Sequence, residues 1–419
     1  MKTPRVIASL LLAIVLAVPA SAMATALPTF GPAAAPEPAA APEPGEGEGL
    51  KFIKNLPTGT GTDAEVVQIG KKHYAFANSR ESLADGGGIH VIDVTNPPKA
   101  KVVATIPCVG SQGDIQISAD KKVLLQGHSS SGGPESCRAL GMTGFATFDI
   151  SNPLKPKELG FGDSDTGHNL TVHPKKPLVY ISIGSLAAVP GHIQIWSFKN
   201  PSKPELVNTF DIMGGHSPHD ISFSTDGKWA VTASVDHFDI LDTTDPENPS
   251  LAFKGQCPGC SITHDAKFTP DGKSILIGDE AGGGAVFPCP GGAWYFYDFS
   301  SPPVPVLTGM YEPAEFVVAR NHAPGSGCTS HVFDISDDGT KVAISWYQVG
   351  TRYLDISTAI GATVGPNRTP TGVTECGWYI PDDGNSWASK FGPGDRWIFS
   401  NDISRGFDIF KITNLECGG

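Results

Sequence analysis

The chain is 419 residues long with a net charge of −13, 17% charged and 9% aromatic residues, 49 glycines and 36 prolines. That negative balance, without clustered Lys and Arg, excludes a nucleic-acid backbone as partner, because binding phosphates requires concentrated positive charge. Abundant Gly and Pro with no long amphipathic helical period exclude a helical bundle and call for many short strands joined by tight turns.

The first residues, MKTPRVIASLLLAIVLAVPASA, combine basic Lys2 and Arg5, an apolar run from Val6 to Val18 and the small residues Ala20, Ser21 and Ala22. This pattern predicts a secretory signal over residues 1–22, cut after Ala22, with no membrane span left once it is removed. Residues 23–49, rich in Ala, Pro and Glu, have almost nothing to bury and are expected to be a disordered linker. Folded sequence is expected over 50–419. Export places the eight cysteines in an oxidising compartment, where an even number reads as disulfides. The expected pairs are Cys108 with Cys137, one of Cys257 and Cys260 with Cys289, and Cys328 with Cys376.

From Leu50 onward a repeat runs to the end of the chain. Its third strands read IHVIDVTNP (89–97), FATFDISNP (145–153), IQIWSFKNP (193–201), FDILDTTDP (238–246), WYFYDFSSP (294–302), RYLDIS (352–357) and FDIFKITN (407–414). The landmarks Asn96, Asn152, Asn200, Asp245 and Ser301 are spaced by 56, 48, 45 and 56 residues, the period of a β-propeller whose blades carry loop insertions. Asp-Gly turns such as Asp226-Gly227 and Asp271-Gly272 join first to second strands. The seventh unit ends after three strands, and LKFIKNLP (50–57) is expected to supply its fourth. The prediction is an all-β, seven-bladed propeller of four-stranded blades, closed by the N-terminal strand joining the C-terminal blade. Closure of that kind removes open sheet edges.

The units GIHVIDVTNPPKAKVVAT and GFATFDISNPLKPKELGF resemble the LVIVD repeat, roughly Gly-Leu-x-Ile-x-Asp-x-Ser-x-Pro, of bacterial secreted and surface propellers. The resemblance implies the fold and carries no single activity with it.

The first strands open at Asp63, Asp114, His168, His219, His264, His331 and about Trp387. In a propeller the innermost strand of each blade lines a central channel, so four consecutive units place an imidazole at one mouth. His168, His219, His264 and His331 are therefore the candidate metal ligands, with copper, iron or zinc as the ion. Asp114, Asp220 and Asp265 are candidate acceptors that orient the rings, and His128, His216 and His322 are reserve ligands. The arrangement is similar in geometry, without shared motifs, to the carotenoid cleavage oxygenases and to the copper-dependent methanethiol oxidase family. A competing reading has the His-Asp pairs merely closing each first strand by hydrogen bonds. Two functions follow as expectations: a metal-dependent oxidase or lyase acting on a small molecule at the channel mouth, or a non-catalytic extracellular module binding a protein or polysaccharide. The chain is expected to work as a monomer.

Overall fold

The computed structural model describes residues 45–110, 112–128, 143–182, 191–212, 218–284, 292–313, 327–359 and 372–417. Within them, seven antiparallel sheets stand in a ring as the blades of a propeller. Blade 1 consists of Gly61–Ile69, Lys72–Ser79, Gly88–Asp93 and Lys101–Ile106. Blade 2 consists of Ile115–Ile117, Val123–His128, Gly144–Asp149 and Lys157–Gly162, and blade 3 of Asn169–Val172, Leu178–Ser182, Gly191–Ser197 and Glu205–Ile212. Blade 4 is Asp220–Phe223, Trp229–Ser234, His237–Asp242 and Ser250–Gly255, and blade 5 is Thr263–Phe268, Ser274–Asp279, Trp294–Asp298 and Val306–Tyr311. Blade 6 uses Phe333–Ile335, Lys341–Ser345, Thr351–Asp355 and Thr374–Ile380. Blade 7 takes Ser386–Phe391, Trp397–Asp402 and Gly406–Ile412 from the C-terminal end and Leu50–Leu56 from the N-terminal side.

Two local hydrogen-bond patterns explain why each repeat turns where it does. After the third strand, an aspartate carboxylate accepts the N–H two residues on: Asp93 from Thr95 (3.1 Å), Asp149 from Ser151 (2.9 Å), Asp242 from Thr244 (2.9 Å), Asp298 from Ser300 (3.0 Å) and Asp355 from Ser357 (2.8 Å). This Asx turn is the physical content of the Asp-x-Ser/Thr signature. Between first and second strands, a Ser or Thr hydroxyl donates to the aspartate two residues on and accepts from the N–H five residues on. Ser224, Thr269, Ser336 and Ser118 all do so, the amide contacts spanning 2.9–3.1 Å. Gly227 takes the left-handed conformation this turn needs (φ 74°), and in blade 2 Lys121 takes it instead (φ 61°).

The strands are buried on both faces, so their runs are continuously apolar and alternate between two interfaces. Ile275 and Ile277 pack toward blade 4 with Val231, Phe238 and Ile240, while Leu276 packs toward blade 6 with Val342, Ile344 and Leu354. Each such side chain contributes roughly 1.5–3 kcal/mol on burial. The aromatic run Trp294–Tyr297 is divided between the same two interfaces.

The ends of the chain meet as expected: Leu50 pairs with Ile412, Phe52 with Phe410 and Leu56 with Phe407. The expected linker, however, does not stay free up to Gly49. Glu46–Glu48 adds a fifth strand to blade 6 along Trp378–Ile380, and the Gly45 N–H donates to the Tyr379 hydroxyl at 2.8 Å. Strand addition engages backbone groups alone, so a segment without apolar side chains can still be held at a sheet edge. Residues 1–44, which include the expected signal, lie outside the described residues.

The disulfides depart from two expected pairings. Cys257 bonds Cys260, and Cys376 bonds Cys417, so neither Cys257 nor Cys260 reaches Cys289, and Cys376 is not the partner of Cys328. The tail after Gly406–Ile412 folds back along blade 6, where Lys341 donates to the Cys417 carbonyl at 2.8 Å, and this brings Cys417 to Cys376. Cys108 and Cys328 are also disulfide-bonded; Cys137 and Cys289 lie outside the described residues. The Cys376–Cys417 bridge closes a loop with a sequence separation of 41 residues. Replacing Cys417 by Ser should therefore cost about 3–4 kcal/mol on the loop-entropy model, read as a lower urea midpoint in equilibrium unfolding.

Candidate metal centre at the channel mouth

The register of the inner strands is set by one repeated contact. The Asp63 carboxylate accepts from the Ile115 N–H (3.0 Å), Asp114 from Leu170 (2.7 Å) and Asp265 from Phe333 (3.4 Å), each reaching into the next blade. Asp63, Asp114 and Asp265 are thus structural equivalents. The histidines sit one residue ahead of this layer, so Asp63 and Asp114 are not the counterparts of His168 as the sequence alignment assumed. The positions equivalent to the histidines in blades 1 and 2 are Thr62 and Gly113. Nor do the three candidate orienting carboxylates face the rings: Asp114 and Asp265 hold neighbouring backbone, and Asp220 accepts from its own successor Ile221 (2.7 Å). Adjacent strand residues point to opposite sides, which separates each aspartate from the histidine before it.

His168, His219, His264 and His331 do come together. Successive ring centroids are 4.6, 4.1 and 4.3 Å apart, forming an arc around the mouth from blade 3 to blade 6. His128 is not part of it; this buried ring lies 3.5 Å from the Cys108 sulfur. His216 and His322 lie outside the described residues.

Two backbone carbonyls set tautomers. His331 Nδ1 lies 2.8 Å from the Trp387 carbonyl and His219 Nδ1 3.3 Å from the His264 carbonyl, so each Nδ1 carries the proton and each Nε2 keeps its lone pair. His168 Nε2–H then donates to His219 Nε2 at 2.9 Å. The Trp387 ring packs on His331 with centroids 4.2 Å apart, which fixes the imidazole plane.

The residue that sequence reasoning missed is Glu280. It follows the second strand of blade 5, Ser274–Asp279, and its carboxylate lies 3.5 Å from His264 Nε2 and 3.7 Å from His331 Nε2. The Tyr347 hydroxyl donates to it. Ligand atoms of His264, Glu280 and His331 all fall within 4.8 Å of one another, and all three residues are buried. A usable signal was present: every second strand ends at this mouth, so the residue after it in each repeat, here the carboxylate of an Asp-Glu pair, was a candidate beside the first-strand openers.

Burial governs the protonation states. It lowers His168 to about 3 and His219 and His331 to about 4, and takes His264 well below the ordinary imidazole value. The imidazoles are neutral at pH 7 and free to act as ligands. Burial likewise raises Glu280 to about 7. Deeper in the channel, burial and neighbouring carboxylates hold Asp114 and Asp220 well above the usual carboxylate range. Lys267 is paired with Asp265 at 2.6 Å and Lys390 with Glu65 at 2.8 Å. Mouth and channel form one cavity of about 580 Å³.

No family model matches the chain, and no curated protein matches it in sequence. Solved structures do. A functionally unknown protein from Desulfotomaculum acetoxidans superposes with a TM-score of 0.53 at 16% identity, covering 77% of this chain and 90% of that one. The β-propeller domain of Cps50 (Swd1) from Myceliophteria thermophila gives a TM-score of 0.60 at 10% identity, covering 87% of this chain and 100% of that domain. At such identities the likeness is one of fold.

The shifted groups make opposite contributions to stability. The histidines are depressed in the folded state, so the unfolded chain binds more protons below about pH 6.5 and stability falls as pH drops from there toward 4. Glu280 is raised, so the folded chain keeps a proton that the unfolded chain releases above pH 4.5, and its contribution declines from pH 4.5 to about 7. In metal-free protein, Glu280→Gln should gain about 2–3 kcal/mol relative to the parent between pH 4.5 and pH 8. Urea unfolding of both chains across that range measures the gain.

Proposed function

We propose that this protein binds one divalent transition metal at its channel mouth through His264, Glu280 and His331, and that the ion acts on a small molecule held in the adjoining cavity. The observation that carries the reading is the convergence of three buried ligand groups from blades 5 and 6 within 4.8 Å. Their surroundings fit the role. Trp387 orients His331 through its carbonyl, Tyr347 orients Glu280, and the His219 ring lies tilted against His264 with centroids 4.1 Å apart. Outer contacts of this kind are characteristic of metal sites.

Two imidazoles and a carboxylate form the donor set of catalytic zinc and of non-haem iron(II), and the carboxylate moves the preference toward these ions and away from copper. Three protein ligands facing a cavity leave coordination positions for water or substrate. An ion held there supplies Lewis acidity to an oxygen bound in those positions. Export belongs to the same proposal: it is supported by the signal-like residues 1–22, by the disulfides and by the likeness of the repeat to LVIVD propellers. No helix among the described residues is long and apolar enough to cross a membrane.

Calorimetric titration with Zn(II) at pH 7.5 should show about one ion per chain, as a three-residue site requires. Glu280→Gln and His331→Asn should each weaken binding by more than the roughly 10–100-fold expected of Tyr347→Phe, which removes only a supporting contact. Unchanged circular dichroism would confirm that the variants fold. Zinc affinity that is absent in the parent, or unaltered in both ligand variants, overturns the proposal.

A further inference from the structure

Two side chains on the wall of the same cavity have polar groups without a partner among the described residues. Arg80 follows the second strand of blade 1, Lys72–Ser79, in the slot that Glu280 occupies after Ser274–Asp279 of blade 5, and both line the mouth. Arg80 is exposed, and among the described residues its guanidinium has no ion pair or side-chain hydrogen bond. The cavity's other two cations, Lys267 and Lys390, are both paired with carboxylates. Asn385, just ahead of the first strand of blade 7, also lines the cavity, and its side-chain oxygen is buried without a partner. A buried amide left in that state costs stability unless a ligand engages it.

The charge pattern selects the ligand. The chain as a whole is acidic, at −13, and carboxylates also line the cavity, but Arg80 at its mouth has no carboxylate partner among the described residues. A guanidinium presents two parallel N–H donors that match a carboxylate, and it is pre-organised for that geometry. Trp387, Tyr347 and Ile403 supply an apolar wall, and about 580 Å³ suits a small organic body. We infer that the mouth takes a small organic carboxylate, with Arg80 donating to its carboxylate and Asn385 Oδ1 open to accept from a donor group elsewhere on the same molecule. This names the substrate class of the metal centre, and rests on that reading only for what happens to the bound molecule.

The test titrates benzoate and its neutral isostere benzamide calorimetrically into the parent chain and into Arg80→Gln, each metal-free and zinc-loaded, at pH 7.5. Benzoate should bind the parent more tightly than benzamide does. Arg80→Gln should weaken benzoate about 10–100-fold, the loss expected for hydrogen bonds to a charged group, and leave benzamide unchanged. Asn385→Asp, which places a like charge on the neighbouring blade of the same cavity wall, should weaken benzoate as well. Zinc titrations of the same chains read the metal centre separately: if zinc fails to bind but Arg80 still discriminates benzoate from benzamide, the metal reading falls and the carboxylate site stands. The inference is overturned if benzoate binds Arg80→Gln as tightly as the parent, if the parent does not prefer benzoate to benzamide, or if benzoate does not bind.

Discussion

Everything at the channel mouth depends on the pairing of Leu50–Leu56 with Gly406–Ile412. Without it, blade 7 would end on an exposed third strand and its packing against blade 1 would lose Ile53 and Leu56. With it, the ring is closed and each inner strand has a fixed distance from the axis. Closure is reinforced at the same seam. Asn401 donates to the carbonyls of Asp63 (3.1 Å) and Asn78 (2.8 Å), and Lys390 reaches Glu65. Residues more than three hundred positions apart in the chain are thereby held in hydrogen-bond contact, which is the condition for side chains from separate blades to share one site.

Closure also decides the electrostatics. A tightly packed ring withdraws its innermost polar groups from water, and groups so placed resist charge. Imidazoles at the mouth stay neutral and keep lone pairs toward the axis, while Glu280 holds its proton to near neutrality. One layer deeper the same desolvation acts on carboxylates, and the structure answers it with backbone amides, shared protons and two lysines. Buried atoms without a partner among the described residues occur at both levels, Asp63 and Asp265 Oδ1 in the deeper layer among them. His264 Nδ1 and Asn385 Oδ1 are buried without partners, and Arg80 stands unpaired beside them. Those at the rim, unlike the ones deeper in the channel, are placed where a ligand can add the missing partners.

The rim is built from two sets of positions that recur in every blade. First-strand openers supply the imidazoles, and residues just beyond the second strands supply Glu280 and Arg80. Pseudo-symmetry brings both sets to one circle, so opposite charges come from equivalent slots in blades 5 and 1. The His264, Glu280 and His331 group that could hold a metal lies on the blade 5 and 6 side of that circle, leaving blades 7 and 1 to line the rest of the mouth. Division of labour between the two halves of a repeated ring is open to a propeller because each blade's rigid strands position their own terminal side chains independently.

The amino-acid sequence by itself determined the number of blades, the places of the third strands and the histidine at the mouth of four consecutive units. These features are written in short-range physics: an Asp two residues before the N–H it accepts, a Ser or Thr hydroxyl spanning its own turn, and apolar runs of strand length. Tertiary structure alone decided the one-residue offset between the aspartate and histidine layers, the entry of Glu280, the pairing of Cys376 with Cys417 and the docking of Glu46–Glu48 on blade 6. Each of these joins residues from different blades or from opposite ends of the chain. Their positions follow from how neighbouring sheets slide and twist against one another as the ring closes, a constraint that no local pattern of residues expresses.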